Sequence, residues 1–165
     1  MVGKHVIYPG SFDPVTLGHV DILRRSLVLF DRVTVLIAER GKAALLPVEE
    51  RVALFRESVK DLKRVEVKPF SGLLVDEVRR QGAVGVVRGI RTAGDYEHEW
   101  SLAGVNSLLD DKVEYIYFLA RPEMAAVSSS LVRDVLRHGG PLDKLVPGPV
   151  AKALAGRFAG LDGDN

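Results

Sequence analysis

Cysteine is absent from the 165 residues. That excludes a disulfide framework, a thiolate zinc site and a cysteine nucleophile together, and leaves the redox compartment open. A surplus of charge is missing too. Lys and Arg number 23 against 22 acids, a net +1 with the four His neutral, so charge alone cannot drive strong binding to nucleic acid and no such partner is expected. No apolar run approaches the roughly 20 residues that cross a bilayer, so no membrane partner is expected either. Met1 passes through charged Lys4 into a short strand-like run with no apolar leader, and a cytoplasmic protein is the default expectation. There is no internal repeat, low-complexity tract or Pro/Gly-rich interdomain linker. What remains is 47% apolar and 27% charged, enough to bury a core. The length suits a single domain over residues 1–160, with 161–165 a frayed tail.

Short β-branched runs alternate with segments of helical period. Strands are predicted over residues 4–8, 32–38, 64–68, 84–88 and 114–120. The second and fifth are almost continuously apolar (Val33, Val35, Leu36, Ile37; Tyr115, Ile116, Tyr117, Phe118, Leu119), as in strands covered on both faces. Val20, Leu23, Leu27 and Phe30 share one face of a first helix. Val52, Phe55, Val59 and Leu62 share a face of another that begins near Pro47, and Tyr96, Trp100, Ala103 and Ser107 recur at one-turn intervals in a fourth. Gly139-Gly140-Pro141 ends the penultimate helix, and Pro147-Gly148-Pro149 opens a small last one. The alternation predicts an α/β fold: a doubly wound, five-stranded parallel sheet with C-terminal helices.

Ligands of such sheets bind beyond the carboxyl ends of the strands, where loops meet helix N-termini. The first such loop runs from Pro9 to His19. Thr16 is a competent N-cap, Gly18 leaves the helix start bare enough for a phosphate to approach, and His19 stands in the first turn, where the helix dipole favours anions. The same residues also suit an ordinary capped turn with a solvent-facing His, and both readings stand on local features. The spacing fits neither a dinucleotide fingerprint nor a Walker A loop. The 39–46 loop carries Lys42. The fourth strand runs into Arg88-Gly89-Ile90-Arg91, two arginines that must bind an anion or pair with Asp95, Glu97 or Glu99. Ser128-Ser129-Ser130 opens the helix predicted over 131–138, and a single N-cap does not call for three hydroxyls. The other histidines, His5, His98 and His138, fall on a strand and on helices. No His/Asp/Glu cluster has metal-ligand spacing, and no Ser-His-acid arrangement is evident. Many anion binders without a nucleophile suit phosphoryl or nucleotidyl transfer.

Tyr8-Pro9-Gly10-Ser11-Phe12-Asp13-Pro14 followed by Thr16-Leu17-Gly18-His19 resembles the T/H-x-G-H signature of the nucleotidyltransferase superfamily. Glu49-Glu50-Arg51, Arg88-Gly89-Ile90-Arg91 with Asp95-Tyr96-Glu97 behind it, and Val127-Ser128-Ser129-Ser130-Leu131-Val132 narrow the likeness. In that order and spacing the chain resembles the bacterial phosphopantetheine adenylyltransferases, up to about Leu154. A sister nucleotidyltransferase would share the first loop but not the Arg88–Arg91 pair at this spacing. A nucleotide sensor without turnover would not need an imidazole at the α-phosphate.

The resemblance implies a Rossmann-like nucleotidyltransferase fold and transfer of AMP from ATP to 4′-phosphopantetheine. The products are dephospho-coenzyme A and pyrophosphate, in the penultimate step of coenzyme A biosynthesis. Mg²⁺ would travel with the ATP phosphates, without a dedicated protein cage. His19 is implied as the transition-state stabiliser, with Lys42 and Arg91 as further catalytic cations. ATP would meet Ser11, Phe12, His19, Gly89, Ile90, Arg91 and Glu99, then Met124, Ala125, Ala126, Val127, Ser128, Ser129 and Ser130. Phosphopantetheine would meet Ser11, Lys42, Leu74 and Arg88. The resemblance also implies a homohexamer. Two departures from the family pattern stand out: the 39–46 loop lacks the Asn-Pro and second Lys common beside the lysine, and Met124-Ala125-Ala126 replaces an aromatic-Ser-Phe run.

Overall fold

The computed structural model describes residues 3–39, 44–155 and 157. In chain order the elements are β1 (His5–Gly10), α1 (Leu17–Leu29), β2 (Arg32–Ala38), α2 (Val48–Ser58), β3 (Val65–Phe70), α3 (Leu74–Gln81) and β4 (Gly85–Ile90). They continue with α4 (Ala93–Leu109), β5 (Glu114–Leu119), a 3₁₀ turn (Pro122–Met124), α5 (Ser129–Arg137) and α6 (Gly148–Leu154). The strands form one five-stranded sheet in the order β3-β2-β1-β4-β5, with every neighbouring pair parallel. This is the α/β architecture expected from the sequence.

Strand alternation divides the interior. Val6, Tyr8, Val33, Val35, Ile37 and Val87 point to one face and meet Leu23, Phe55, Val132 and Leu154 from α1, α2, α5 and α6 in the larger core. Ile7, Leu36 and Val86 point to the other and meet Val75 and Val78 of α3 in a smaller one.

Three strands run further than predicted. β1 reaches Gly10, β3 reaches Phe70 and β4 reaches Ile90, because pairing continues past the most apolar residues: Gly10 opposite Ile37, Ala38 opposite Phe70, Ile90 opposite Leu119. α2 is shorter than its periodicity implied. It stops at Ser58 with Val59 as C-cap, yet Val59 is still buried and Leu62 packs against the same core from beyond the helix. The stripe on α4 is not a core face. Only Glu99 of that helix is buried, while Trp100 and Val105 are 64% and 59% exposed. β5 differs likewise: it is an edge strand, half-buried along most of its length, and not covered on both faces.

Pairing also decides where a ligand can enter. β1 and β2 are in register over six residue pairs. β1 and β4 pair only at Val6–Gly85 and Ile7–Val86, and beyond Ile7 they part. The chain winds from β1 outward to β3 in one direction, then crosses back to β4 and on to β5. The gap at the carboxyl ends of β1 and β4 is therefore the switch point of the sheet, where open α/β sheets hold their ligands.

Candidate active site

A cleft opens at that switch point. Its walls include Ser11, Phe12, Gly18 and His19 from the first loop and helix, Arg88, Gly89, Arg91 and Glu99 from the β4 side, and Met124, Val127, Ser128, Ser129 and Ser130 from the segment leading into α5.

His19 is fixed through the start of α1. The Thr16 hydroxyl accepts from the His19 backbone N–H at 3.3 Å, and His19 Nδ1 accepts from the Thr16 backbone N–H at 3.0 Å. The pair closes a capping box in which His takes the place usually held by Glu or Gln. Because Nδ1 accepts, the ring proton sits on Nε2, which is left as the donor. Burial, then the nearby charges of Arg91 and Arg88, hold the imidazole pKa down to about 3. It is thus a neutral hydrogen-bond donor at physiological pH. Phe12 stands edge-on to His19 at 4.9 Å, and edge-on to Tyr8 and Phe55 at 5.2 and 4.9 Å. These contacts hold Phe12 at φ 47°, a conformation an aromatic residue rarely adopts. A Cβ at Gly10 would come within 2.8 Å of the same ring, so Gly10 is required by Phe12.

The arginines of β4 resolve the alternatives left by the sequence into a specific arrangement. Arg88 Nε donates to Glu99 Oε2 at 2.6 Å, its Nη2 to Glu99 Oε1, and its Nη1 to the Pro9 carbonyl across the gap between β1 and β4. Burial is the largest single influence and pushes the Arg88 pKa down, but the hydrogen bond and the charge of Glu99, with smaller contributions from Tyr8 and Tyr115, together outweigh it and the net shift is upward. Five N–H groups less three leaves two donors of Arg88 for a ligand. Arg91 pairs with Asp95 through Nε at 3.0 Å and Nη2 at 3.1 Å. Glu99 is therefore spent on orienting Arg88. Both arginines have carboxylate partners and both still face the cleft.

Two buried side chains join the first loop to the stems of the second. The Asp13 carboxylate accepts from the backbone N–H groups of Leu45 and Leu46 at 2.8 and 3.0 Å. Arg51, 1% exposed, donates to the carbonyls of Ser11, Ala38 and Leu46 at 2.6, 2.9 and 3.0 Å. The three serines also have separate partners. Ser128 is the N-cap of α5, accepting from Leu131 N–H at 3.1 Å. Ser129 donates to the Pro14 carbonyl at 2.9 Å, and Ser130 accepts from Arg133 at 3.1 Å. The early N–H groups of α5 thus face the cleft opposite the start of α1.

A cytidylyltransferase-like family model matches residues 7–135. Proteins named phosphopantetheine adenylyltransferase match along nearly their full length. The one from Geotalea daltonii is 43% identical, covering 94% of this chain and 97% of the relative. Those from Alkalilimnicola ehrlichii and Haemophilus influenzae are 45% and 46% identical, covering 96% and 92% of this chain and 94% and 98% of the relatives. The chain belongs to the phosphopantetheine adenylyltransferase family. Among solved structures, a putative nicotinate-nucleotide adenylyltransferase from Vibrio parahaemolyticus aligns with a TM-score of 0.69 at 19% identity, over 92% of this chain and 97% of that one. A lipopolysaccharide core biosynthesis protein from Thermoplasma volcanium aligns at 0.54 and 22%, over 72% and 98%. At those identities the likeness is one of fold.

Not every residue implied by likeness to the phosphopantetheine adenylyltransferases reaches the cleft wall. Lys42 lies outside the described residues. Leu74 starts α3 beside the far strand β3 and packs on the smaller core. Ile90 is buried, and Ala125 and Ala126 flank the wall without forming it. Conversely, the cleft includes Tyr8, Ile22, His98 and Arg133, which sequence reasoning passed over. His98 was set aside as a helical residue, although α4 carries it to the same end of the sheet. No local signal marks Arg133.

Two expectations follow. A Cβ at Gly18 would meet Thr16 Oγ1 at 3.7 Å and Met124 Cβ at 3.9 Å, ordinary contacts. Gly18→Ala should therefore melt within a few degrees of the parent while weakening nucleotide binding at least several-fold, as thermal denaturation and calorimetric titration would read. Unchanged binding would mean that no ligand approaches Gly18. The second concerns pH. With a folded pKa near 3 against about 6.5 unfolded, the unfolded chain binds more protons at this site between those values. Stability from His19 is then present above pH 6.5 and declines as pH falls. In an NMR titration of the free enzyme, His19 should show no transition between pH 5 and 8 and should report the Nε2–H tautomer. A midpoint near 6.5 would refute the neutral donor.

Proposed function

We infer that this chain transfers AMP from ATP to the phosphate of 4′-phosphopantetheine, producing dephospho-coenzyme A and pyrophosphate for coenzyme A biosynthesis. Identity of 43–46% to named phosphopantetheine adenylyltransferases along almost the whole chain carries the reading. The cleft's chemistry supports it. The acceptor phosphate is already anionic and needs no base. The protein must bring two mutually repelling polyanions into line and stabilise charge at the α-phosphorus. Arg88, held by Glu99 and Pro9, serves the acceptor phosphate, and likeness to the family adds Lys42 there and Leu74, outside the cleft wall, along the pantetheine arm. His19, Arg91, Gly89 and the N-terminus of α5 serve the nucleotide, with Ser11 and Phe12 between the two. His19 donates Nε2–H to an α-phosphoryl oxygen without itself changing charge. Arg51 and Asp13 hold the first two loops at a set separation.

Mg²⁺ enters with the ATP phosphates. The wall carboxylates Asp95 and Glu99 are both committed to arginines. Among the described residues no group of three or more His, Asp or Glu could hold a metal ion. The described residues do not fit a protein-held ion. Among the described residues, no helix is long and apolar enough to cross a membrane, in keeping with a cytoplasmic enzyme. The exposed Trp100, Val105 and Leu108 of α4 and Leu119 at the end of edge strand β5 suit burial against further copies of the chain in a homohexamer.

Pyrophosphate release from ATP should require phosphopantetheine. Release equally fast without it, or with an alcohol phosphate or nicotinate mononucleotide in its place, would refute the assignment. His19→Ala should keep the fold and lower turnover by two or more orders of magnitude, about 3 kcal/mol or more of transition-state stabilisation. Near-normal turnover in the folded variant would remove the role. Light scattering at micromolar concentration should give about six times the 18.0 kDa chain mass, and a monomer would contradict the assembly.

A further inference from the structure

Among the described residues, α2 contributes nothing to the cleft wall, yet one face of it grips the first loop. Arg51 and Phe55 lie one helical turn apart on that face, 1% and 0% exposed. Arg51 Nη1 donates to the Ser11 carbonyl at 2.6 Å and to the Ala38 carbonyl at 2.9 Å, and its Nε to the Leu46 carbonyl at 3.0 Å. The guanidinium thus joins the residue after β1, the last residue of β2 and the stem leading into α2. The Phe55 ring stands edge-on to Phe12 at 4.9 Å, and Phe12 stands edge-on to His19 at the same distance.

Both contacts act on one backbone torsion. The Ser11 carbonyl belongs to the peptide plane that precedes Phe12, and rotation about the Phe12 N–Cα bond relates that plane to the Phe12 side chain. Arg51 holds the plane and Phe55 holds the ring, so between them φ stays at 47°. An aromatic residue relaxes from that value unless its neighbours prevent it. Relaxation would swing the ring away from His19. The bond from the Thr16 N–H fixes His19 Nδ1, and the Phe12 ring limits how the imidazole tilts about that point.

We propose that Arg51 and Phe55 are positioning residues, which aim His19 Nε2 at the α-phosphate by clamping the Ser11–Phe12 peptide. This deepens the adenylyl-transfer reading above and rests on it. Neither side chain touches substrate; each acts through His19. A misaimed donor loses more of its hold on charge developing in the transition state than on the bound ground state, so the effect falls on kcat. Arg51→Lys keeps the charge but removes the planar fork that reaches three carbonyls from two nitrogens.

A double-variant cycle with His19 in the full-length enzyme tests the clamp. Arg51→Lys should lower kcat at least tenfold while leaving the KM for ATP and for phosphopantetheine within threefold. Combined with His19→Ala, the same substitution should lower kcat by less than a further twofold, because the residue it acts through is gone. Unchanged kcat in the folded single variant, or losses that multiply in the double one, would reduce Arg51 to a staple between loops. Phe55→Leu keeps an apolar side chain but removes the ring, and should repeat the pattern if Arg51→Lys fails to fold. A second readout needs no turnover: the His19 Nε2–H resonance of the free enzyme should move in either folded variant, and an unmoved resonance overturns the proposal. Native enzyme that released no pyrophosphate with phosphopantetheine would sink the adenylyl-transfer reading instead, and the resonance would still decide whether the clamp positions His19.

Discussion

The cleft exists because β1 and β4 stop pairing after Ile7. A parallel sheet wound in both directions from its centre leaves a gap that no crossover helix covers. Every polar group of the cleft is positioned by how the chain deals with that gap. Arg88 reaches across it to the Pro9 carbonyl. α1 begins on one side of it, and the Ser129 hydroxyl ties α5 to the first loop through the Pro14 carbonyl. The N-termini of α1 and α5 thereby face a common space. Two helix ends and their dipoles turned toward one cavity make it attractive to a polyphosphate before any side-chain charge is counted.

Side-chain charge is then distributed with restraint. Pairing Arg88 with Glu99 and Arg91 with Asp95 holds two guanidinium planes in place without a large net charge, so the walls do not repel each other when empty. A neutral His19 fits the same economy. A donor that is already uncharged needs no proton transfer to work, and its orientation is set by the Thr16 backbone and the Phe12 ring. On the proposed function, such a site positions reactants and answers developing charge. The serines fit this division, since Ser128 and Ser129 have structural hydrogen-bond partners and none bonds to His19 among the described residues.

Much of this was legible from short-range pattern. The Thr16 cap, the bare Gly18, the His19 that follows and the serine at the head of α5 are signals a few residues long, and each belongs to the element the pattern implied. Strand order and the parting of β1 from β4 followed only in outline from β-α alternation. What stayed hidden depends on contacts between distant side chain and backbone. Asp13 meets Leu45 and Leu46 across 32 and 33 residues, and Arg133 meets Asp13 across 120. Nothing in the sequence near Arg51 distinguishes a buried guanidinium that binds three carbonyls from a solvated helix charge. The stripe on α4 was legible as helical period, but its surroundings were not. Periodicity shows that a helix has an apolar face, but not that this chain alone supplies its partner. Glu99 shows a third limit: its place at the cleft was expected, but its bidentate hold on Arg88 is a geometric fact.

The central claim is that the cleft carries out one direct displacement between two bound substrates, with no covalent intermediate on the protein. The stereochemical course at the α-phosphorus tests it most directly. With ATP carrying a single sulfur configuration at that phosphorus, a single in-line attack by the acceptor phosphate inverts the centre, and the account predicts inverted configuration in the dephospho-coenzyme A analogue. Retention would require two successive displacements through an enzyme-bound adenylyl group, and would contradict a site that works by position and charge alone.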